Sequence, residues 1–237
     1  MIETSFRGEF LSGLRAISPL LLAAAPIGFV FGTVAVGQGL SPLEVGLMSA
    51  LVFAGGSQFV AMDLWTHPAS WAALGFAALL VNLRHILMGA SLERSLGSFG
   101  PGQKLPSLLL MADEIWAISE ARARTMVLTP AFYFGLSVPF YCGWVLCSLA
   151  GALLGAVIGD TALFGLDFAF PAVFIVLLMG FWKGRETGLV LIASAAASLT
   201  VHQLLPGAWY IAAGALAGLA AAFVPLANSQ PGKEQSA

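Results

Sequence analysis

Few residues in this chain could do chemistry, and they fall into four short stretches. The first is FAGGSQF, residues 53–59, where Gly55 and Gly56 precede Ser57 and Gln58 inside otherwise apolar sequence. Adjacent glycines weaken a helix by about 1 kcal/mol each relative to Ala, and they allow close approach to the backbone. Ser57 and Gln58 then bring donors and acceptors to a place where lipid supplies none. The second stretch is VNLRHILMGASLER, where Asn82, Arg84 and His85 lie within one helical turn towards the end of an apolar run. Arg84 has the planar fork that pairs a carboxylate, and His85 can exchange protons near neutral pH. The third is the adjacent pair Asp113 and Glu114 in SLLLMADEIWAISE. An acidic group facing a bundle interior is costly and by default functional, as a proton relay or the partner of a cation. The fourth is FGLDFAFPAVF, residues 164–174. There Asp167 can cap a helix, and Pro171 falls in its first turn or kinks it.

Each stretch also has a plainer reading. Small residues in apolar sequence serve helix packing, as the GFVFG spacing of Gly28 and Gly32 suggests. Arg84 could snorkel to headgroups with His85 in the interface. Asp113 and Glu114 could face outward from a surface helix, and Asp167 could do no more than cap. Asp63 and His67 are too few for a metal site, which wants three or four convergent ligands. Cys142 and Cys147 are five apart, on different faces of a helix, and read as small apolar filler. No metal, cofactor or catalytic residue is expected.

The elements that must position these groups follow from composition. Of 237 residues, 59% are hydrophobic and 9% charged, with a mean hydropathy of +0.90. A soluble domain carries about 25% charged residues, so this is an all-α, polytopic integral membrane protein. No basic patch exists to serve a nucleic acid. Residues 1–12 read as a polar N-terminal segment, 13–226 as one transmembrane domain, and 227–237 as a polar tail expected to be disordered. A span needs about 20 apolar residues. Segments 14–37, 43–66, 69–90, 131–158, 168–183, 187–203 and 207–226 qualify or come close, and 105–120, interrupted by its acids, is an eighth candidate. Seven or eight spans are expected, some discontinuous, with the helix at 43–66 breaking at 54–58. Counting Lys and Arg on each side does not choose between the two topologies. An internal repeat is suggested over about 14–90 and 131–203. Placing Phe53-Ala54 over Phe168-Ala169 also aligns Phe59 with Phe174, and His85 and His202 close the segments that follow. Interrupted helices at matching places in two halves are how many transporters build a midplane site.

Taken together, AGGSQF at 54–59, NLRHILMGASL at 82–92, ADE at 112–114 and GLDFAFPAVF at 165–174 resemble the AzlC family of branched-chain amino acid permeases. GLRAISPLLLAAAPIGFVFGTVA, residues 13–35, is similar to that family's opening helix, and the likeness runs from about Gly13 to Ala222. The resemblance implies the large subunit of a two-component exporter in the bacterial inner membrane. Such exporters move valine, leucine, isoleucine and sometimes methionine, with a small hydrophobic AzlD-type partner. The expected carboxylate site is the break at Gly55 and Gly56, with Ser57, Gln58, Asn82 and Arg84. The aliphatic side chain is expected against Phe53, Phe59, Phe168 and Phe174. No ATP-binding motif is present, so the favoured energy source is proton coupling through Asp113 or Glu114 with His85. Two other classes remain open. One is a non-transporting scaffold or accessory subunit. The other is an intramembrane serine hydrolase built on Ser57 with His85 or His202, although GGSQ lacks the GxSxG elbow.

Overall fold

The computed structural model describes residues 5–158, 184–205 and 207–224, together with positions 175, 178, 179 and 182. Asp167, Phe168, Pro171 and Phe174, singled out above, lie outside the described residues. The chain divides into two compact units, residues 1–173 and 174–237.

The frame of the first unit is a pair of long helices, α1 (Phe6–Gly37) and α7 (Pro130–Ile158). At 1.5 Å per residue they run about 48 and 43 Å, beyond the roughly 30 Å of a hydrocarbon core. They lie side by side and parallel. Gly13 faces Phe132 and Gly135, Gly28 faces Trp144 and Cys147, and Gly32 faces Ser148 and Ala152. Small residues let the two backbones touch, so a Cβ at Gly32 or Gly151 would run into the carbonyl oxygen of Ser148 or Phe29. Thr33 adds a cross-helix bond, its hydroxyl donating to Gly151 O at 3.2 Å. The helix-packing reading of Gly28 and Gly32 is thus what the fold uses. The start of α1 at Phe6 also draws in most of the stretch read as a polar N-terminal segment, and Glu9 is buried.

Residues 43–66 do not cross as one kinked helix. Ser41 caps α2 (Pro42–Leu51) in a capping box with Glu44. The Ser41 amide and hydroxyl hold the Glu44 carboxyl below the ordinary carboxylate range. After residues 52–54 the chain resumes as α3 (Gly55–Asp63). Gln58 Nε2 donates to Ser49 Oγ at 3.1 Å. Nine residues along a continuous helix would be about 13.5 Å apart, so the chain must have reversed. Contacts along the frame agree. Gly46 faces Leu149 and Ala50 O accepts from Tyr141 Oη at 2.9 Å, so α2 descends along α7. Gly55 lies on Trp144, the Phe59 ring meets Phe31 edge-on at 5.6 Å, and His67 comes back to Gly39 beyond the end of α1. The pair α2–α3 is a re-entrant hairpin. It reverses at 52–54 rather than at the glycines, which open its returning arm.

Helix α4 (Trp71–Leu92) then runs antiparallel to the frame, and a 3₁₀ turn (Glu93–Ser98) extends it. Its far end joins an apolar cluster of Ile17, Leu92, Met111, Ile115, Tyr133 and Leu136. A second hairpin follows, α5 (Pro101–Leu109) and α6 (Asp113–Ala123), with residues 110–112 between them. Phe99, just before it, packs edge-on against Tyr133 at 5.7 Å, and Tyr133 Oη donates to Ser107 O at 2.6 Å. At its tip Met111 and Leu108 face Gly89, and α6 returns alongside α4 until Arg122 meets Glu9. This hairpin enters and leaves at the N-terminal end of α1 and α7. The first does so at their C-terminal end. A long helix followed by a three-residue-tipped hairpin therefore occurs twice, in opposite directions, over 6–63 and 71–123. This is a shorter period than the suggested 14–90 and 131–203, much of whose second half lies outside the described residues.

The second unit contains α8 (Arg185–Leu204) and α9 (Trp209–Ala222). They are antiparallel: Gly214 faces Ser198 and Ser194, Gly218 faces Ser194 and Val190, and Ser198 Oγ donates to Tyr210 O at 3.0 Å. Among the described residues four helices, α1, α4, α7 and α8, are long and apolar enough to cross a membrane.

Candidate functional site

The two hairpin tips come together beside the middle of α4. Arg84 lies about 20 Å along α4, near the middle of the helical segment Trp71–Ser98, which is long and apolar enough to cross a membrane although its last turns carry Glu93 and Arg94. By length and composition it falls inside that candidate span rather than at its end. Arg84 Nη1 pairs with Asp113 Oδ2 at 2.7 Å, the two side chains being 44% and 42% exposed. A half-exposed ion pair at that depth cannot face hydrocarbon. It must line an aqueous cavity or lie against protein.

Arg84 faces the heads of both returning arms. Asp113 is the first residue of α6, where an acidic group meets the positive end of the helix dipole. Gly56 is second in α3, and a Cβ built on it would stand 3.3 Å from Arg84 Nη2. Neither helix has a side-chain cap; Ala54 and Ala112 hold those places. The amides of Gly55, Gly56 and Ser57 have no acceptor within their own helix, as at any helix start. Glu114 follows Asp113, half-buried.

Around this pair the polar groups are partly satisfied. Asn82 Nδ2 donates to buried Ser57 Oγ at 2.9 Å. Among the described residues buried Asn82 Oδ1 has no hydrogen-bond partner, and half-buried His85 has the Asn82 and Met111 backbones beside it. Gln58 differs from the expectation that it faces a ligand. It is fully buried, and its amide is engaged at both ends, with Ser49 Oγ on one side and Trp144 Nε1, at 2.9 Å, on the other. It braces the hairpin against α7. Phe53 packs edge-on against Tyr141 at 5.1 Å, and buried Phe59 against Phe31.

The structure thus brings Gly55, Gly56, Ser57, Asn82, Arg84, His85, Asp113 and Glu114 to one place. Sequence reasoning missed Trp144, which carries nothing to mark it within an apolar run. It also missed Glu9, Arg122 and Thr129. Arg122 Nη2 pairs with Glu9 Oε2 at 2.5 Å, and Thr129 donates to the same oxygen at 2.9 Å. Their separations of 113 and 120 residues left no local signal.

Comparison with known proteins agrees with this architecture of apolar helices. A family model described as AzlC protein matches residues 19–158. An uncharacterized membrane protein of Archaeoglobus fulgidus is 32% identical over 224 residues, 92% of this chain and 96% of the relative. The inner membrane protein YgaZ of Escherichia coli is 25% identical, over 75% of each chain. The branched-chain amino acid transport protein AzlC of Bacillus subtilis is 28% identical, over 75% of this chain and 69% of that one. No solved structure matches. A multi-pass inner-membrane protein, with a long apolar frame and two opposed hairpins inside the matched region, this chain belongs to the AzlC family.

Proposed function

We propose that the chain is a secondary transporter that exports branched-chain amino acids, coupled to protons and acting with a small AzlD-type subunit. The observation that carries this reading is the Arg84–Asp113 pair at mid-span, set where the returning arms of two opposed hairpins begin. A zwitterionic amino acid has the two charges needed to divide that pair. Its carboxylate takes the α3 amides of Gly55, Gly56 and Ser57 together with Arg84. Its ammonium takes Asp113, with Glu114 beside it. The aliphatic side chain is assigned to the neighbourhood of Phe53 and Phe59, the two of the four expected rings that fall among the described residues. Such pockets discriminate a methylene by only about 1–3 kcal/mol, which suits several aliphatic substrates. Asn82 Oδ1, without a partner among the described residues, offers an acceptor to substrate or water, and His85 offers a station for the coupled proton. A scaffold that only docks a partner has no use for an ion pair at this depth.

Orientation follows from the two hairpins. Both turn back, so Arg7, Arg94, Lys104, Arg122 and Arg124 gather at one end of the first unit, while residues 38–70 carry no Lys or Arg. By the positive-inside rule the first end is cytoplasmic. Hairpin α5–α6 then closes the site from the cytoplasm, and α2–α3 from outside.

Valine counterflow in proteoliposomes under an imposed pH gradient tests the scheme. Asp113→Asn and Glu114→Gln should abolish the response to the gradient. Arg84→Lys should weaken valine binding about tenfold or more, the worth of a charged hydrogen bond. Transport indifferent to the gradient, and unchanged in all three variants, would refute it.

A further inference from the structure

The ion pair at the cytoplasmic end has no part in binding substrate as described above, and its setting is unusual. Glu9 and Arg122 are almost wholly buried, at 10% and 12% side-chain exposure. Arg122 Nε is buried without a partner, and the guanidinium rests on the Phe132 ring at 3.9 Å. Buried ion pairs are poor stabilisers, because desolvation offsets most of the attraction; their best-attested use is to select one arrangement over another. Here the two sides differ in how firmly they are held. Glu9 and Thr129 belong to the starts of α1 and α7, locked by backbone contact at Gly13 and Gly135. Arg122 belongs to α6, an eleven-residue arm with four charged residues. At its other end α6 carries Asp113, paired with Arg84.

We propose that Glu9, Arg122 and Thr129 form a latch that holds α6 closed beneath the transport site and must open for solute to pass on the cytoplasmic side. With the latch made, α6 is fixed at both ends and Asp113 stays on Arg84. With it broken, α6 swings from α1 and α7 and the site opens inward. The opposed hairpin is tied differently. Its described links to α7 and between its arms are neutral hydrogen bonds, Gln58 with Ser49 and Trp144, and Tyr141 with Ala50 O. The asymmetry assigns the ionic, breakable contact to the cytoplasmic hairpin. Glu9, Arg122 and Thr129 are positioning residues in this scheme. They act on substrate only through α6, and the scheme rests on the transport reading above.

Ser119 supplies the reporter. It lies one turn before Arg122 on the same face of α6, fully buried, and its hydroxyl has no partner among the described residues. A Ser119→Cys thiol, in a protein with Cys142→Ala and Cys147→Ala, is reacted with a charged methanethiosulfonate in inside-out vesicles. Glu9→Gln and Arg122→Gln should each speed modification about tenfold or more, a latch weakened by 1.4 kcal/mol. Thr129→Val, which keeps the ion pair, should give a smaller increase and serves if the others fold poorly. In right-side-out vesicles the rate should not change. A pair that only braces the fold would lower the thermal midpoint with no sided change in labelling, and that result overturns the proposal. A second arm closes the latch covalently, cross-linking Glu9→Cys to Arg122→Cys with a short bifunctional methanethiosulfonate. Transport should stop and return on reduction, whereas full transport in the cross-linked protein would overturn the latch. Labelling needs no substrate, so a chain that fails to move valine even with its small AzlD-type subunit present refutes the transport reading while the labelling still decides the latch.

Discussion

Gly55 and Gly56 are adjacent, yet the structure gives them opposite sensitivities to one added methyl. A Cβ on Gly55 would stand 2.9 Å from Trp144 Cη2 and 3.0 Å from Cζ2, where carbon atoms prefer about 3.5–4.0 Å. The ring cannot retreat. Its Nε1 is bonded to Gln58 Oε1, its face is stacked on Phe31 with centroids 6.4 Å apart, and it is buried. Overpacking of this kind costs about 1–3 kcal/mol, against which Ala regains at most about 1 kcal/mol of helix propensity. Gly55 is the first residue of α3, where that regain is small, so Gly55→Ala should lose about 1–3 kcal/mol of stability. On Gly56 the Cβ meets only Arg84 Nη2, at 3.3 Å, and Val81 Cγ1 at 3.9 Å. The first is the end of a long, half-exposed side chain that can give way. Gly56→Ala should keep or slightly raise stability, but it pushes the guanidinium from the head of α3 and should raise KM for valine. Thermal unfolding in detergent, read beside valine counterflow, separates the two. A Gly55→Ala protein as stable as the parent, or a Gly56→Ala protein that unfolds early and transports normally, would refute the placement of both glycines.

Two further outcomes follow from the same contacts. Trp144→Phe keeps the ring but removes the donor to Gln58, leaving a buried carbonyl unsatisfied. It should cost about 1–3 kcal/mol in thermal or denaturant unfolding. Gly32→Ala would drive its methyl into the Ser148 carbonyl and the Ala152 amide, so α1 and α7 must separate. It should cost about 3 kcal/mol or more, seen as loss of monodisperse protein on gel filtration, whereas Gly28→Ala, 3.3 Å from the Cys147 Cβ, should be milder.

The long helices were legible because twenty or more apolar residues admit few other fates. The hairpins were not. An apolar run of 24 residues such as 43–66 satisfies the length rule whether it crosses or turns back, and only a tertiary contact such as Gln58 with Ser49 tells the two apart. The glycines marked the right neighbourhood for a different reason from the one expected. They do not unwind the helix; they let the start of α3 approach Trp144 and Arg84. Arg84 and Asp113 each stood out as charges in sparsely charged sequence, but nothing local joins residues 29 apart. Glu9 and Arg122 stood out less, since one lay in a stretch read as a polar terminus and the other near a loop.

The hairpins also explain why charge collects where it does. A re-entrant chain must start its returning arm in the membrane interior, where a helix N-terminus leaves several amides unsatisfied and carries about half a positive charge. The arm α6 meets this with Asp113 as its first residue. The arm α3 has only Gly55, Gly56 and Ser57, and lies beside the Arg84 guanidinium, a second positive group. Asp113 therefore serves the start of its own helix and one cation. An arriving carboxylate relieves that imbalance at α3, and its own ammonium compensates Asp113 for losing Arg84. An uncharged solute can do neither of these and a purely cationic one only the second, so under the proposed transport reading the two opposed hairpins would favour a zwitterion over either.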